Sequence, residues 1–200
     1  MLRVKILGAD GSYVTRDEIV SLYASDMDYV PYIRKASIDY DATINLEVPK
    51  GPVILHAKLH VPGYGYGMWI MSDNCGEGYG PDAEVDFIHD AAASRVHEVE
   101  VVLGTKEFDP TPKCLSMLRD AKSLLTLAEA NPAKAPAYHM LALASAMWSG
   151  ELAVVERAQA RIKKTGRRDD ILFGAGGFNY PYDGVVGWRK RGVKAPDYKG

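Results

Sequence analysis

The chain has 200 residues, of which 47% are hydrophobic, 25% charged and 10% aromatic, the composition of an ordinary globular protein rather than of a disordered, collagen-like or membrane-spanning chain. Twenty-four Lys and Arg against 26 Asp and Glu leave a formal net charge of −2, which gives no global attraction for nucleic acid or an anionic membrane, so neither is expected as a partner. Two cysteines, Cys75 and Cys114, are too few for a disulfide scaffold.

The opening Met1-Leu2-Arg3-Val4-Lys5-Ile6-Leu7 alternates charge with apolar residues and has no uninterrupted apolar stretch, so no signal peptide is expected and the localisation stays open. Up to about residue 73 short alternating runs are separated by Gly, Pro, Asp and Asn, which predicts strands at 2–7, 34–40, 42–48, 53–61 and 65–72. Between the first two, Thr15-Arg16-Asp17-Glu18 has capping-box spacing ahead of Ile19, Val20, Leu22 and Tyr23, which predicts one short helix.

From Asp82 the apolar period lengthens. Val85, Ile88, Ala92, Val96, Val99 and Leu103 recur at steps of three and four and predict a helix over about 83–103, capped by Asp82 and ended by Gly104. Helices over 112–130, with Pro112 at its first position, and over 136–164 complete a helical hairpin. The fold class expected is α+β: an antiparallel, jelly-roll-like β-sandwich in a domain 1–110 that carries the 83–103 helix, a helical hairpin 111–166 packed on it, and an irregular tail 167–200. From Gly184 onward that tail has a net charge of +4 with Gly192, Pro196 and Gly200, read as a solvated terminus.

Standard catalytic signatures are absent: there is no Gly-x-Ser-x-Gly elbow, P-loop, His-Glu-x-x-His or Cys-x-x-Cys. His56 and His60 have metal-ligand spacing, but in a strand four residues span roughly 13 Å and the two rings cannot share an ion. The informative stretch is the hairpin 53–72. Val53, Leu55, Ala57, Leu59 and Val61 are apolar and face the core, so His56, Lys58 and His60 point the other way. An even-length loop then sets Tyr66, Met68 and Ile70 opposite the core positions and places Trp69, with Gly65 and Gly67, beside His56, Lys58 and His60 on the outer face. An exposed indole with a polar rim is suited to stacking on the apolar face of a sugar ring. Tyr64 and Tyr79 on adjoining loops join Trp69, His56, Lys58 and His60 as the expected carbohydrate-binding residues. The competing arrangement has the C-terminal helices covering Trp69.

The loop Ser72–Asp82 is glycine-rich, and its oxygen donors Asp73, Asn74 and Glu77 are the only calcium candidates. Their spacing is not that of an EF-hand, and an Asx turn with Gly76 and Gly78 at positive φ is the plainer reading; no other cofactor is expected.

Pro62-Gly63-Tyr64-Gly65, Asp73-Asn74-Cys75-Gly76-Glu77-Gly78-Tyr79, Ser94-Arg95-Val96, Trp148-Ser149-Gly150-Glu151 and the run from Ile162-Lys163-Lys164 to Asp170-Ile171-Leu172-Phe173-Gly174 occur in succession. Together they resemble the N-terminal accessory region of bacterial proteins related to family 10 glycoside hydrolases, the xylanases, in which a β-domain and helices precede a catalytic (β/α)₈ barrel. Such a barrel needs about 250 residues and only 30 follow Asp170, so no residue here inherits the catalytic carboxylates. The resemblance implies a noncatalytic carbohydrate-binding module for plant cell-wall β-glycans such as xylan, with a polysaccharide or oligosaccharide as partner. The alternatives are a scaffold fragment of an endo-1,4-β-xylanase-like hydrolase and a structural or protein-interaction domain. Hydrolase activity is not expected, because Asp73, Glu77 and Asp82 lie on one loop rather than across a cleft.

Overall fold

The structure is a computed structural model that describes residues 1–14, 21–32 and 36–166. The helix expected from Thr15, the strand-like run at Ile171 and the tail 167–200 lie outside the described residues, apart from Ser21 to Tyr23. Met1–Arg161 forms one compact unit; of the second, Ile162–Gly200, only residues up to Gly166 are described.

Among the described residues eight strands form two four-stranded sheets. The first has the order β4 (Ala36–Ile38), β5 (Ile44–Leu46), β1 (Leu2–Lys5), β8 (Glu84–Asp86), and the second β3 (Pro31–Tyr32), β2 (Ser21–Ser25), β6 (Ile54–Val61), β7 (Gly65–Ser72). The second sheet is wholly antiparallel. In the first, β1 runs antiparallel to β5, pairing Leu2 with Leu46, but parallel to β8, pairing Arg3 with Glu84. That parallel pair is possible because the chain builds the long β6–β7 hairpin between β5 and β8, a crossover long enough to return in the same direction.

Two local expectations are corrected. Leu22 and Tyr23 belong to strand β2 rather than to a helix, since Ser21 to Ser25 pair residue for residue with Lys58 to Ile54. The helix expected from residue 83 begins four residues later, as α1 (Phe87–Gly104), with Asp86 as its cap accepting from the His89 amide at 3.4 Å. Asp82 instead receives the Met1 ammonium at 3.2 Å. α2 (Pro112–Ala130) starts on the Thr111 cap, with Pro112 filling a position whose amide has no helical partner. A 3₁₀ turn at Pro132–Lys134 leads into α3 (Ala135–Thr165).

The main core joins Leu2 and Val4 of β1, Leu55, Ala57 and Leu59 of β6, Ile70 of β7, Phe87 and Ile88 of α1, and Leu143 of α3. The helices therefore cover the odd-numbered side of β6, and α2 adds a smaller cluster in which Leu118 and Ala121 meet Val96, Val99 and Ala146. Strands and helices share one hydrophobic interior, so α2 and the part of α3 up to Arg161 belong to the same unit as the sheets. Cys75 and Cys114 are both free thiols.

Candidate functional site

The β6–β7 hairpin decides which side chains face outward. Leu55, Ala57 and Leu59 oppose Ser72, Ile70 and Met68, and Lys58 opposes Trp69, so Trp69 shares the outer face with Lys58 and His56. The loop is not even: Val61 pairs with Gly65 across three residues, closed by the Tyr64 amide donating to the Val61 carbonyl at 3.0 Å. An odd loop alone would have turned Trp69 inward. A register shift between Leu59 and Val61 puts Tyr66 and Gly67 together opposite His60, and this extra residue restores the parity. Gly67 sits at φ 59°, a conformation for which glycine is the natural choice. The bulge also corrects the place of Tyr66, expected to face the core; it is 83% exposed and stacks on His60 with ring centroids 3.7 Å apart.

Trp69 is 52% exposed. Tyr23, which faces His56 across the β2–β6 pair, stacks flat on that imidazole at 4.5 Å and meets the Trp69 ring edge-on at 5.4 Å. Tyr29, from the turn after β2, approaches the other side of the cluster with its ring 6.4 Å from His56. Lys58 runs alongside: its Cε would lie 3.3 Å from a Cβ placed on Gly67. The outer face thus carries an aromatic group at Tyr29, His56, Tyr23 and Trp69, and a second pair, His60 and Tyr66, roughly 13 Å beyond His56 and roughly 7 Å beyond the Lys58–Trp69 pair along the strand.

Burial holds His56 below its ordinary pKa, so at neutral pH the ring is uncharged. Ser25 Oγ donates its hydrogen to the Asp26 carbonyl at 2.9 Å, so the 2.9 Å contact with His56 Nε2 is donated by the imidazole. The neutral, fixed ring gives Tyr23 a flat partner.

Of the six residues expected on the platform, four share the outer face: Trp69, His56, Lys58 and His60. Tyr64 and Tyr79 do not join them. Tyr64 packs against the core, edge-on to Trp148 at 5.0 Å, with its hydroxyl donating to Glu151 Oε1 at 3.1 Å. Tyr79 is only 5% exposed, and its hydroxyl is bonded to Ser72 Oγ at 2.6 Å and donates to Asp90 Oδ2 at 3.3 Å. It is a core residue because Val53 and Tyr79 bridge backbone to backbone beneath the loop. Tyr23, Tyr29 and Tyr66 are the members that sequence reasoning missed. Tyr23 had the signal, an alternation Leu22-Tyr23-Ala24 that fits a strand as well as a helix.

The calcium candidates lie on a loop that closes on itself. The Gly76 and Gly78 amides both donate to the Asp73 carbonyl, at 3.1 and 2.7 Å, and Asn74 Nδ2 donates to the Gly78 carbonyl at 3.2 Å. Gly76 and Gly78 have the expected positive φ, joined by Asn74 and Cys75. Among the described residues no three His, Cys, Asp or Glu side chains come together around a point where an ion would be held, which applies to Asp73, Glu77 and the histidine pair alike. Among the same residues no helix is long and apolar enough to cross a membrane.

No family model, no curated protein and no solved structure matches the chain.

Proposed function

We propose that this chain is a noncatalytic carbohydrate-binding module whose ligand is a β-glycan chain laid along the outer face of β6–β7. The observation that carries the reading is the pair of exposed aromatic side chains: Trp69 is 52% and Tyr66 83% exposed, while Trp69 is braced edge-on by Tyr23 and Tyr66 is stacked on His60. Large aromatic side chains exposed on one sheet face offer flat apolar surface for a ligand to stack on. Rings stacked on fixed neighbours lose little conformational freedom on binding. Lys58, His60 and the tyrosine hydroxyls supply hydrogen-bonding groups at the rim. Two aromatic groups separated along one strand suit an extended oligosaccharide better than a single ring. On the same reading the two sheets are the halves of a jelly-roll-like sandwich, and the module belongs ahead of a family 10-like catalytic barrel, acting on xylan or a related cell-wall glycan.

The test is isothermal titration, or migration in a polysaccharide-containing gel, with soluble xylan and mixed-linkage β-glucan. Saturable binding that Trp69→Ala removes supports the proposal. Absence of binding to every glycan tried rejects it in favour of a protein-interaction surface.

A further inference from the structure

Among the described residues β7 is an edge strand, and along its side away from β6 lies a cavity of about 270 Å³. Its lining includes Met68 and Trp69 from β7, Arg95 and Glu98 from α1, and Met147 and Glu151 from α3. Trp69 thus belongs both to the outer platform and to this cavity. The polar side is organised around Arg95. Its Nη1 donates to Glu98 Oε2 at 2.6 Å, and its Nη2 lies 3.8 Å from Glu151 Oε1, so two carboxylates flank one guanidinium. The seat is shaped for that group: a Cβ on Gly150 would stand 2.5 to 2.8 Å from three guanidinium atoms. Glu151 is fixed in turn by the Tyr64 hydroxyl.

A brace between α1 and α3 accounts for the ion pairs and leaves two observations over. Arg95 Nε is buried with no hydrogen-bond partner among the described residues, and both glutamates, side chains 48% and 52% exposed, keep acceptor capacity beside a cavity walled by methionine and indole. Carboxylate acceptors set against an apolar wall complement a ring that has hydroxyls on its rim and C–H groups on its face. One cation between two anions leaves the cluster negative, which repels a carboxylate.

We propose that this edge cavity takes one neutral, hydroxyl-rich sugar unit, a chain end or a branch, of the glycan held on the platform, and that Glu98 and Glu151 discriminate against units bearing a carboxylate. The inference rests on the carbohydrate-binding reading above. It assigns the selectivity to residues that the platform does not use.

The experiment is calorimetric titration of the full chain with neutral arabinoxylan and with glucuronoxylan, for the wild type, Glu98→Gln, Glu151→Gln and Trp69→Ala, each checked by thermal unfolding. The wild type is expected to prefer the neutral polymer. Each glutamine variant is expected to bind that polymer roughly threefold to tenfold more weakly, as for one lost hydrogen bond, and to narrow the preference. Glu98→Gln guards against a folding effect, since Glu98 pairs within α1, three residues from Arg95, whereas Glu151 also receives Tyr64. If both glutamine variants keep wild-type affinities and the wild-type ratio while Trp69→Ala loses binding, the cluster is only a brace and this inference falls with the platform intact. If the wild type binds neither polymer, the platform reading fails and this one with it.

Discussion

On the inner face of the β6–β7 hairpin Leu55, Ala57 and Leu59 are at most 3% exposed and merge with α1 and α3 into the main core, while on the outer face of the same strands Trp69 and Tyr66 leave half or more of their surface in water. The inner residues are aliphatic and interlock; the outer ones are flat and aromatic, Trp69 meeting Tyr23 edge-on and Tyr66 stacked on His60. A strand that needed only to fold would carry small polar residues outward, as sheets with one solvated face commonly do. The contrast separates what holds the molecule together from what is available to a ligand.

The contrast breaks most sharply at Leu55. Leu55→Ala empties a fully buried site and should cost about 2–5 kcal/mol of stability, read as a lowered denaturation midpoint, with glycan affinity unchanged in the fraction that stays folded. Trp69→Ala is the converse. It should lose about 1–3 kcal/mol of glycan affinity, tenfold or so in calorimetry, and no more than about 1 kcal/mol of stability, the edge contact with Tyr23 being its chief packing loss. If Trp69→Ala unfolds the chain, the two faces are not separable.

Gly67→Ala probes the bulge that keeps the faces apart. At φ 59°, with the new methyl 3.3 Å from Lys58 Cε, it should cost about 1–2 kcal/mol in chemical unfolding and weaken binding by disturbing Lys58 and Tyr66. The smallest effect is one of pH. Burial holds His56 below its ordinary value of 6.5, so on acidification the unfolded chain takes up that proton first; stability is full above about pH 6.5 and falls as the pH drops from there through the native pKa. His139, depressed mainly by burial, adds to this fall. His89 opposes it: the hydrogen bond with Asp90 raises its pKa, so its contribution is complete below 6.5 and is lost as the pH rises through the native value. Urea unfolding of His56→Gln from pH 7 to pH 5 should show a shallower acid decline than the wild type.

Much of this was legible in the residues. Five alternating apolar positions from Val53 to Val61 announce a strand with one buried side, whereas the outward place of Trp69 was expected from an even loop and is reached instead by an odd loop and a one-residue bulge. The long helices announce themselves by period and by Pro112. β8 was not legible, because Glu84-Val85-Asp86 is too short to show alternation, and the apolar Val85 fits the period of the helix that follows. β2 was hidden by a capping-box spacing just ahead of it; pairing with β6 decides its state, and pairing is not local. The edge cavity could not be read at all, since Trp69, Arg95 and Glu151 come from three elements and meet only when α1 and α3 pack beside β7.

The three-residue turn and the one-residue bulge have a consequence for how this hairpin tolerates changes of length. Each alone reverses which side of the sheet every later residue of β7 occupies, and together they cancel. A deletion of Tyr66 alone, or any single-residue insertion before Met68 that is not itself looped out, would carry Trp69 into the interior and drive Met68 and Ile70 outward. Gains or losses of two residues would leave both faces as they are. Homologous hairpins that keep the platform should therefore differ in length between Val61 and Met68 by even numbers.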